Sequence, residues 1–447
     1  MKYEPVIGLE VHIELNTKTK MFCRCNADYF GKEPNTSTCP VCLGLPGALP
    51  FINQQAIEDC IKIGLALNCS INEKSYFERK NYFYPDLAKG FQTSQLVLPI
   101  AIGGWIEVED AQGKLTKIRI NRAHQEEDTG KLTHRDGQTF IDYNRSSVPL
   151  VEVVTEPDFT DTFQIKDYAK KLQQIFRYLD VSNADMERGD MRLEANISVR
   201  PVGQTTLPNY RVELKNINSF RFMAQAVEYE IARQIEAHEK GEKLVQETRG
   251  WNEDKRVTYV QRSKEEAHDY RYFPEPDLPI LKMSATLINE MTKAVDTAKE
   301  KDPVKVAEKL VSTGMSLASG ASIARNPIKL AIFNEVQKEK SVLDMDWKDF
   351  GNFIANREIN EENINLVPEL TKKQLSDFQS RKSGLISNSK ELEALAQEVI
   401  DENPGMVDIY KSGKTTVVMA LVGGVMGKSG GKADPGKVKA ILERLLG

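Results

Sequence analysis

Apolar and polar positions alternate most cleanly near the start of the chain. In "EPVIGLEVHIEL", Ile7, Leu9, Val11, Ile13 and Leu15 fall on one side, and Gly8, Glu10, His12 and Glu14 on the other. A period of two marks a strand with one face on a core and one face open. "DMRLEANISVRP" repeats the pattern, with Met191, Leu193, Ala195 and Ile197 opposite Arg192, Glu194, Asn196 and Ser198. "NYRVELKNI" does so again, setting Val212 and Leu214 against Arg211, Glu213 and Lys215. Two stretches predict helices instead, about 161–180 and about 219–240. One-sided strands interrupted by helices predict an α+β class with a mostly antiparallel sheet. From about 284 the texture becomes Ala-, Lys-, Glu- and Leu-rich, which predicts short helices with starts such as Asp302-Pro303. A further boundary is expected near 370, around "TKKQLSDFQ". The last segment reads as helical runs and a glycine-lysine loop, "VGGVMGKSGG".

A length of 447 residues bounds the chain to a few domains, and 40% apolar residues describe an ordinary soluble globular protein. The net charge of −5 gives no global signal for nucleic acid, but local patches decide such binding. From Lys411 onward the balance reverses. Lys411, Lys414, Lys428, Lys432, Lys437, Lys439 and Arg444 face only Asp434 and Glu443. Charge alone leaves two readings of that end, a contact for a nucleic-acid backbone and a solvated tail helix. "GKS" at Gly427–Ser429 imitates a phosphate loop, but that motif requires a glycine where Val422 stands. It is not read as an ATP site. With no signal peptide and no transmembrane run, the cytosol is the expected compartment, where cysteines stay reduced.

Four of the six cysteines sit together as Cys23-x-Cys25 and Cys39-x-x-Cys42. Two close pairs separated by a short loop suit a tetrahedral zinc, since each pair delivers two thiolates from one tight turn. Pro40 presets the second turn, and Gly44 and Gly47 allow positive φ just beyond it. Four free thiols are the plainer alternative. Four cysteine ligands leave no open position, so the zinc is expected to be structural. Cys60, in a helical stretch, and Cys69 read as small core residues.

The chemistry therefore has to lie elsewhere. Glu10 and His12 share an open strand face, "RAHQEEDTGK" offers His124, Glu126, Glu127 and Asp128, and Glu152 sits inside the apolar run "VPLVEVVTEPD". A carboxylate in such a run is costly unless it meets a cation. Carboxylates with one imidazole suit Mg²⁺ or Mn²⁺. Lys80, Arg145, Lys215 and Arg271 supply nearby cations. Metal with Lys and Arg is the equipment of phosphoryl transfer. An ordinary strand histidine and a solvated acidic loop are the bland alternatives for His12 and "HQEED". The five histidines, His12, His124, His134, His238 and His268, complete no Ser-His-Asp motif, and covalent catalysis is not expected.

Taken in order, "RKNYFYPDLAKGFQTSQ", "EEDTGK", "DYNRSSVPLVEVVTEPD", "LKNINSFRF", "ETRGW" and "DYRYFPEPDLP" closely resemble the B subunit of the bacterial aspartyl/glutamyl-tRNA amidotransferase. The likeness is dense over roughly residues 3–280 and returns in "LVGGVMGKSGGKADP". It implies a cradle domain over 1–290, a helical domain over 291–370 and a tRNA-binding tail over 371–447. It implies ATP-dependent phosphorylation of the side-chain carboxylate on misacylated Glu-tRNA(Gln) or Asp-tRNA(Asn). Amidation then follows with ammonia from the amidase, the A subunit of such a complex, which the small C subunit binds to this one. The resemblance puts magnesium on His12, Glu126 and Glu152 with Glu10 adjacent, and a possible second ion near Glu194 and Glu213. It puts zinc on Cys23, Cys25, Cys39 and Cys42. The tail is expected to grip tRNA, with Lys428, Lys432 and Lys437 as contacts. The family usually has Asp where this chain has Glu194. A zinc-containing tRNA-binding scaffold without chemistry of its own is the competing reading.

Overall fold

The structure, a computed structural model, describes residues 2–263, 270–338, 346–357, 359, 367–383, 389–413, 415–430, 432–433 and 435–447. His268, Lys414 and Asp434 lie outside the described residues. Two compact units divide at Asp302 and Pro303.

The first unit opens with β1 (Tyr3–Glu14), α1 (Gln54–Ala66), β2 (Ser70–Ile71), β3 (Lys74–Ser75), β4 (Glu78–Asn81), β5 (Phe91–Ser94), β6 (Ala101–Glu109) and β7 (Leu115–Glu127). It continues through β8 (Lys131–Arg135), β9 (Gln138–Asp142), β10 (Pro149–Thr155), α2 (Thr162–Tyr178), β11 (Met191–Pro201), β12 (Val212–Leu214) and α3 (Phe220–Glu239). β13 (Glu247–Asn252), β14 (Val257–Ser263), β15 (Phe273–Pro274), β16 (Leu281–Lys282) and α4 (Ala285–Lys299) complete it.

Nine strands form the main sheet in the order β14-β13-β12-β11-β1-β10-β7-β6-β2. Every pair is antiparallel except β12 with β13, which are joined through α3. The α+β expectation holds. One face of the sheet is the core. Ile7, Leu9, Val11 and Ile13 of β1 meet Val151, Val153, Leu193, Ala195 and Ile197 there, all buried. α1 and α2 pack on β6, and α3 on β11. Asp161 caps α2 by accepting from the Gln164 amide at 2.8 Å, which satisfies one of the orphan donors of the first turn. Gly104 lets β6 close on the end of α1. An added Cβ there would sit 2.3 Å from the Leu67 carbonyl oxygen. The opposite face of the sheet stays polar. A small sheet, β15-β4-β5, lies against it beside β7.

The second unit is helical: α5 (Pro303–Val311), α6 (Leu317–Ala324), α7 (Pro327–Lys338), α8 (Trp347–Ala355), α9 (Val367–Ser383), α10 (Ser389–Glu402), α11 (Pro404–Lys411), α12 (Val418–Lys428) and α13 (Pro435–Leu446). One core gathers Ile323, Ile332, Phe333, Phe350 and Phe378, and another gathers Leu392, Val399, Leu421, Val425 and Leu442. Both expected boundaries fall inside helices. Residue 290 falls inside α4, whose Leu287, Ile288, Met291 and Val295 pack with the sheet core. Residue 370 falls inside α9, whose Phe378 belongs to the first helical core. The expected glycine-lysine loop is helical as far as Lys428. Val418, Leu421, Val422 and Val425 repeat at helical spacing and are buried, which outweighs the low propensity of Gly423, Gly424 and Gly427. The "GKS" sequence thus ends a helix, where carbonyls rather than amides project and a phosphate is not cradled.

Candidate active site

Strand register builds the site. β1 pairs with β10 so that His12 lies opposite Glu152, and with β11 so that Glu10 lies opposite Glu194 and His12 opposite Arg192. β10 pairs with β7 so that Glu152 lies opposite His124 and Leu150 opposite Glu126. β11 pairs with β12 so that Asn196 lies opposite Glu213. Partners in register share a face, and all of these point away from the helices. Five adjacent strands thus line up carboxylates and imidazoles on one surface.

Two groups result. His12, Glu126 and Glu152 bring one ligand atom each within 4.8 Å of one another. His12 Nε2 is 3.8 Å from a Glu126 oxygen and 3.9 Å from a Glu152 oxygen. Glu10, Glu194 and Glu213 form the second group on the same criterion. Glu10 thus joins the pair expected for a second ion, rather than the first group. Burial, then Glu152 and Glu194, push the Glu10 carboxyl above its usual range, as crowded like charges do.

Other groups position the first set. Ser94 donates to Glu126 at 2.7 Å, and Gln92 donates to it at 3.2 Å. Both come from β5, whose partner β4 carries Lys80 opposite Gln92. Burial opposes the charge on Lys80, but Glu126, Tyr272, Tyr82 and Glu152 outweigh it and raise its pKa. The ammonium lies 5.3 Å from the centre of the Tyr270 ring. His124 is buried, with Nε2 3.1 Å from Glu152 and 3.4 Å from Glu126. Burial would lower its pKa, yet Glu152 and Glu126 push it up to about 9. Burial likewise opposes charge on Glu152, but His124 and His12 hold it well below the carboxylate range. The sequence offered His124 beside Glu126 but assigned it no role. Its two-residue spacing from Glu126 in a strand was the available sign.

The remaining cations divide. Lys215 bridges Glu194 at 2.9 Å and Glu213 at 3.1 Å, so an ammonium sits in the second carboxylate group. Arg145 donates to the Thr129 and Gly130 carbonyls at 2.9 Å each and lies 3.6 Å from Asp128. Its guanidinium braces the loop after β7, a structural task that sequence reasoning did not foresee. Asp128 also takes Arg192 at 2.9 Å, and Glu127 takes Lys89 at 2.5 Å. Arg271 lies beyond β4, with positive φ, and accepts a hydrogen bond from Asn81 through its carbonyl. A cleft of about 460 Å³ opens beside Glu10 along the polar face, reaching Arg122, Asn196, Asn209 and Tyr210. That volume is within the range of small-molecule sites.

The four cysteine sulfurs also fall within 4.8 Å of one another. Cys39 and Cys42 sulfurs are 3.9 Å apart, close to the edge of about 3.8 Å expected of a zinc–thiolate tetrahedron. Gly44 and Gly47 have the expected positive φ, 66° and 87°. Hydrogen bonding with Cys23 and the nearby Lys20 bring the Cys42 thiol down to about 5 against burial. Cys60 and Cys69 are buried in the sheet core, as expected. In the tail, Lys428, Lys432 and Lys437 are all exposed, and Lys428 is paired with Glu398 at 2.6 Å and Glu402 at 2.5 Å. Among the described residues no helix is long and apolar enough to cross a membrane.

Comparison with known families adds to this geometry. The family described as "GatB/GatE catalytic domain" matches residues 5–289, and that described as "GatB domain" matches residues 332–446. Three relatives are each named as the B subunit of an aspartyl/glutamyl-tRNA(Asn/Gln) amidotransferase. That of Persephonella marina is 41% identical, with 100% of both chains covered. That of Thermoanaerobacter pseudethanolicus is 42% identical, again over 100% of both. That of Thermotoga maritima is 41% identical over 100% of this chain and 99% of its own.

Proposed function

The chain belongs to the family formed by the B subunit of aspartyl/glutamyl-tRNA(Asn/Gln) amidotransferase, and from that premise we propose that its polar sheet face carries out the ATP-dependent half of the reaction. The substrate is Glu-tRNA(Gln) or Asp-tRNA(Asn). The γ-phosphoryl group of ATP passes to the free side-chain carboxylate, ADP leaves, and the resulting acyl phosphate is a good acyl donor. Ammonia attacks its carbonyl carbon, inorganic phosphate departs, and the amide of Gln or Asn remains. The amidase partner, the A subunit, supplies the ammonia from glutamine, and the small C subunit holds the two together. The setting is the cytoplasm.

The observation that carries this reading is the convergence of His12, Glu126 and Glu152 from three strands, beside a second carboxylate group. His12, Glu126 and Glu152 would hold Mg²⁺ or Mn²⁺, and Glu10, Glu194 and Glu213 a second ion. The donor set of oxygens with one imidazole fits such hard cations. When bound, the ion neutralises phosphate charge. The chain's own groups do the rest. Ser94 and Gln92 fix the rotamer of Glu126. Lys80 keeps a positive charge facing Glu126 and Glu152, where phosphoryl oxygens need one. Lys215 brings a second ammonium to the other carboxylate group. The cleft beside Glu10 supplies room for substrate. Cys23, Cys25, Cys39 and Cys42 would hold structural zinc, and Lys432 and Lys437 are tail contacts for tRNA.

The test uses the purified complex with ATP and each misacylated tRNA, following ADP release and amide formation with added ammonia. ADP release should depend on the charged tRNA. His12→Ala should abolish amide formation and keep tRNA binding. Unchanged amide formation in that variant would overturn the proposal in favour of a scaffold that only binds tRNA.

A further inference from the structure

Among the described residues Lys20 is the most fully enclosed cation of the first unit, with 0% of its surface exposed. A buried ammonium is strongly destabilising unless an anion meets it. Among the described residues no carboxylate lies within ion-pair distance of Lys20. Its Nζ has two partners, the Tyr143 carbonyl oxygen at 3.2 Å and the Cys42 sulfur at 3.7 Å. A carbonyl offers only a dipole, so any net counter-charge must come from the sulfur side. Four thiolates around a divalent zinc leave a dianion, which is equally costly to bury alone. Each charge supplies what the other lacks.

We infer that Lys20 is a positioning and charge-compensating residue of the cysteine cluster, an outer partner of Cys42 that strengthens zinc binding. This rests on the zinc reading given above. Its neighbours support such a part. The Cys39 amide donates to the same Cys42 sulfur at 3.2 Å, giving that sulfur two donors. The Met21 amide donates to the Ser147 carbonyl at 2.7 Å, and Ser37 donates to Asn144 Oδ1 at 2.7 Å. These bonds tie the cysteine loop to the turn that leads into β10. Lys20 spans the same gap, with its ammonium between Cys42 and Tyr143. Retention of metal and the anchoring of the turn before Glu152 are thereby linked through one side chain.

The experiment compares the full chain, purified with its metal, with Lys20→Met and Lys20→Gln. The glutamine keeps a donor for Tyr143 and serves where the methionine variant fails to accumulate. Zinc content of the unmodified chain is measured first, and its absence would defeat the zinc reading itself. Zinc affinity is then read by competition with a chromophoric chelator. Loss of an outer partner of a metal ligand is expected to weaken it by about ten- to a hundred-fold. Thermal unfolding of loaded and stripped protein supplies the second readout. The loaded form should lose far more than the stripped form, because the dianion is present only with metal. A packing role would lower both equally. Zinc affinity within two-fold of the unmodified chain, or equal losses in both forms, overturns the inference.

Discussion

Glu152→Gln tests the electrostatics of the site most directly. The Glu152 carboxylate lies 3.1 Å from Nε2 of the buried His124, whose pKa is held at about 9. The ordinary histidine value is about 6.5, so the rise is worth about 3 kcal/mol of preference for the charged ring in the folded state. A raised folded pKa fixes the sign. The stabilisation is fully present below the unfolded value of about 6.5 and is lost as pH rises through about 9. The amide keeps the shape of Glu152 and removes its charge, leaving burial to act on His124 with Glu126 alone, so the pKa must fall. The assay is an NMR titration of protein carrying ¹³C-labelled histidine rings, with His124→Gln assigning the signal. One ring should titrate near 9 in metal-free protein and at lower pH in Glu152→Gln. Urea unfolding should lose stability between pH 7 and 9 in the unmodified chain, and lose less in the variant. Identical His124 titrations in the two proteins would refute the reasoning.

Lys215→Met removes the ammonium that now bridges Glu194 and Glu213. Mn²⁺ binding to that group, followed by electron paramagnetic resonance, should tighten by roughly ten-fold or more, while ATP affinity falls. Lys432→Ala should lower the slope of log affinity for tRNA against log salt by about 1, near one unit per phosphate contact. Lys428→Ala should leave that slope unchanged, because Glu398 and Glu402 already hold its ammonium. Glu230, fully buried on α3, accepts from Arg233, Gln234 and Thr258 and pairs with Arg249 at 3.4 Å. Glu230→Ala should cost about 1–3 kcal/mol in urea unfolding, since it removes the acceptor of the buried Thr258 hydroxyl, while Glu247 still holds Arg249 at 2.9 Å.

What the sequence made legible is what repeats locally. Period-two alternation in β1 and β11 assigned Glu10, His12 and Glu194 to one face, and the helices begin within a residue or two of their expected starts at Asp161 and Ser219. Pairing is different. An apolar run singled out Glu152 and a charged stretch offered His124, but neither says that their strands are neighbours. That depends on register across the sheet, and register is set by the whole core. Lys80, Gln92 and Ser94 reach Glu126 by way of a separate small sheet, which no local pattern announces. Which core a helix serves is not legible locally for a related reason. Helices on either side of 290 and of 370 have the same composition, and only their packing partners tell which core they serve.

The second carboxylate group is completed by β12, whose outer neighbour β13 runs parallel to it and arrives only after α3. During synthesis, then, no nascent chain that ends before residue 213 can carry both carboxylate groups. A polypeptide released before residue 213 lacks one wall, and one released before Asn252 lacks the strand that supports that wall. If the proposed chemistry holds, premature termination should give inert fragments, and competence arrives late, as a property of the finished sheet.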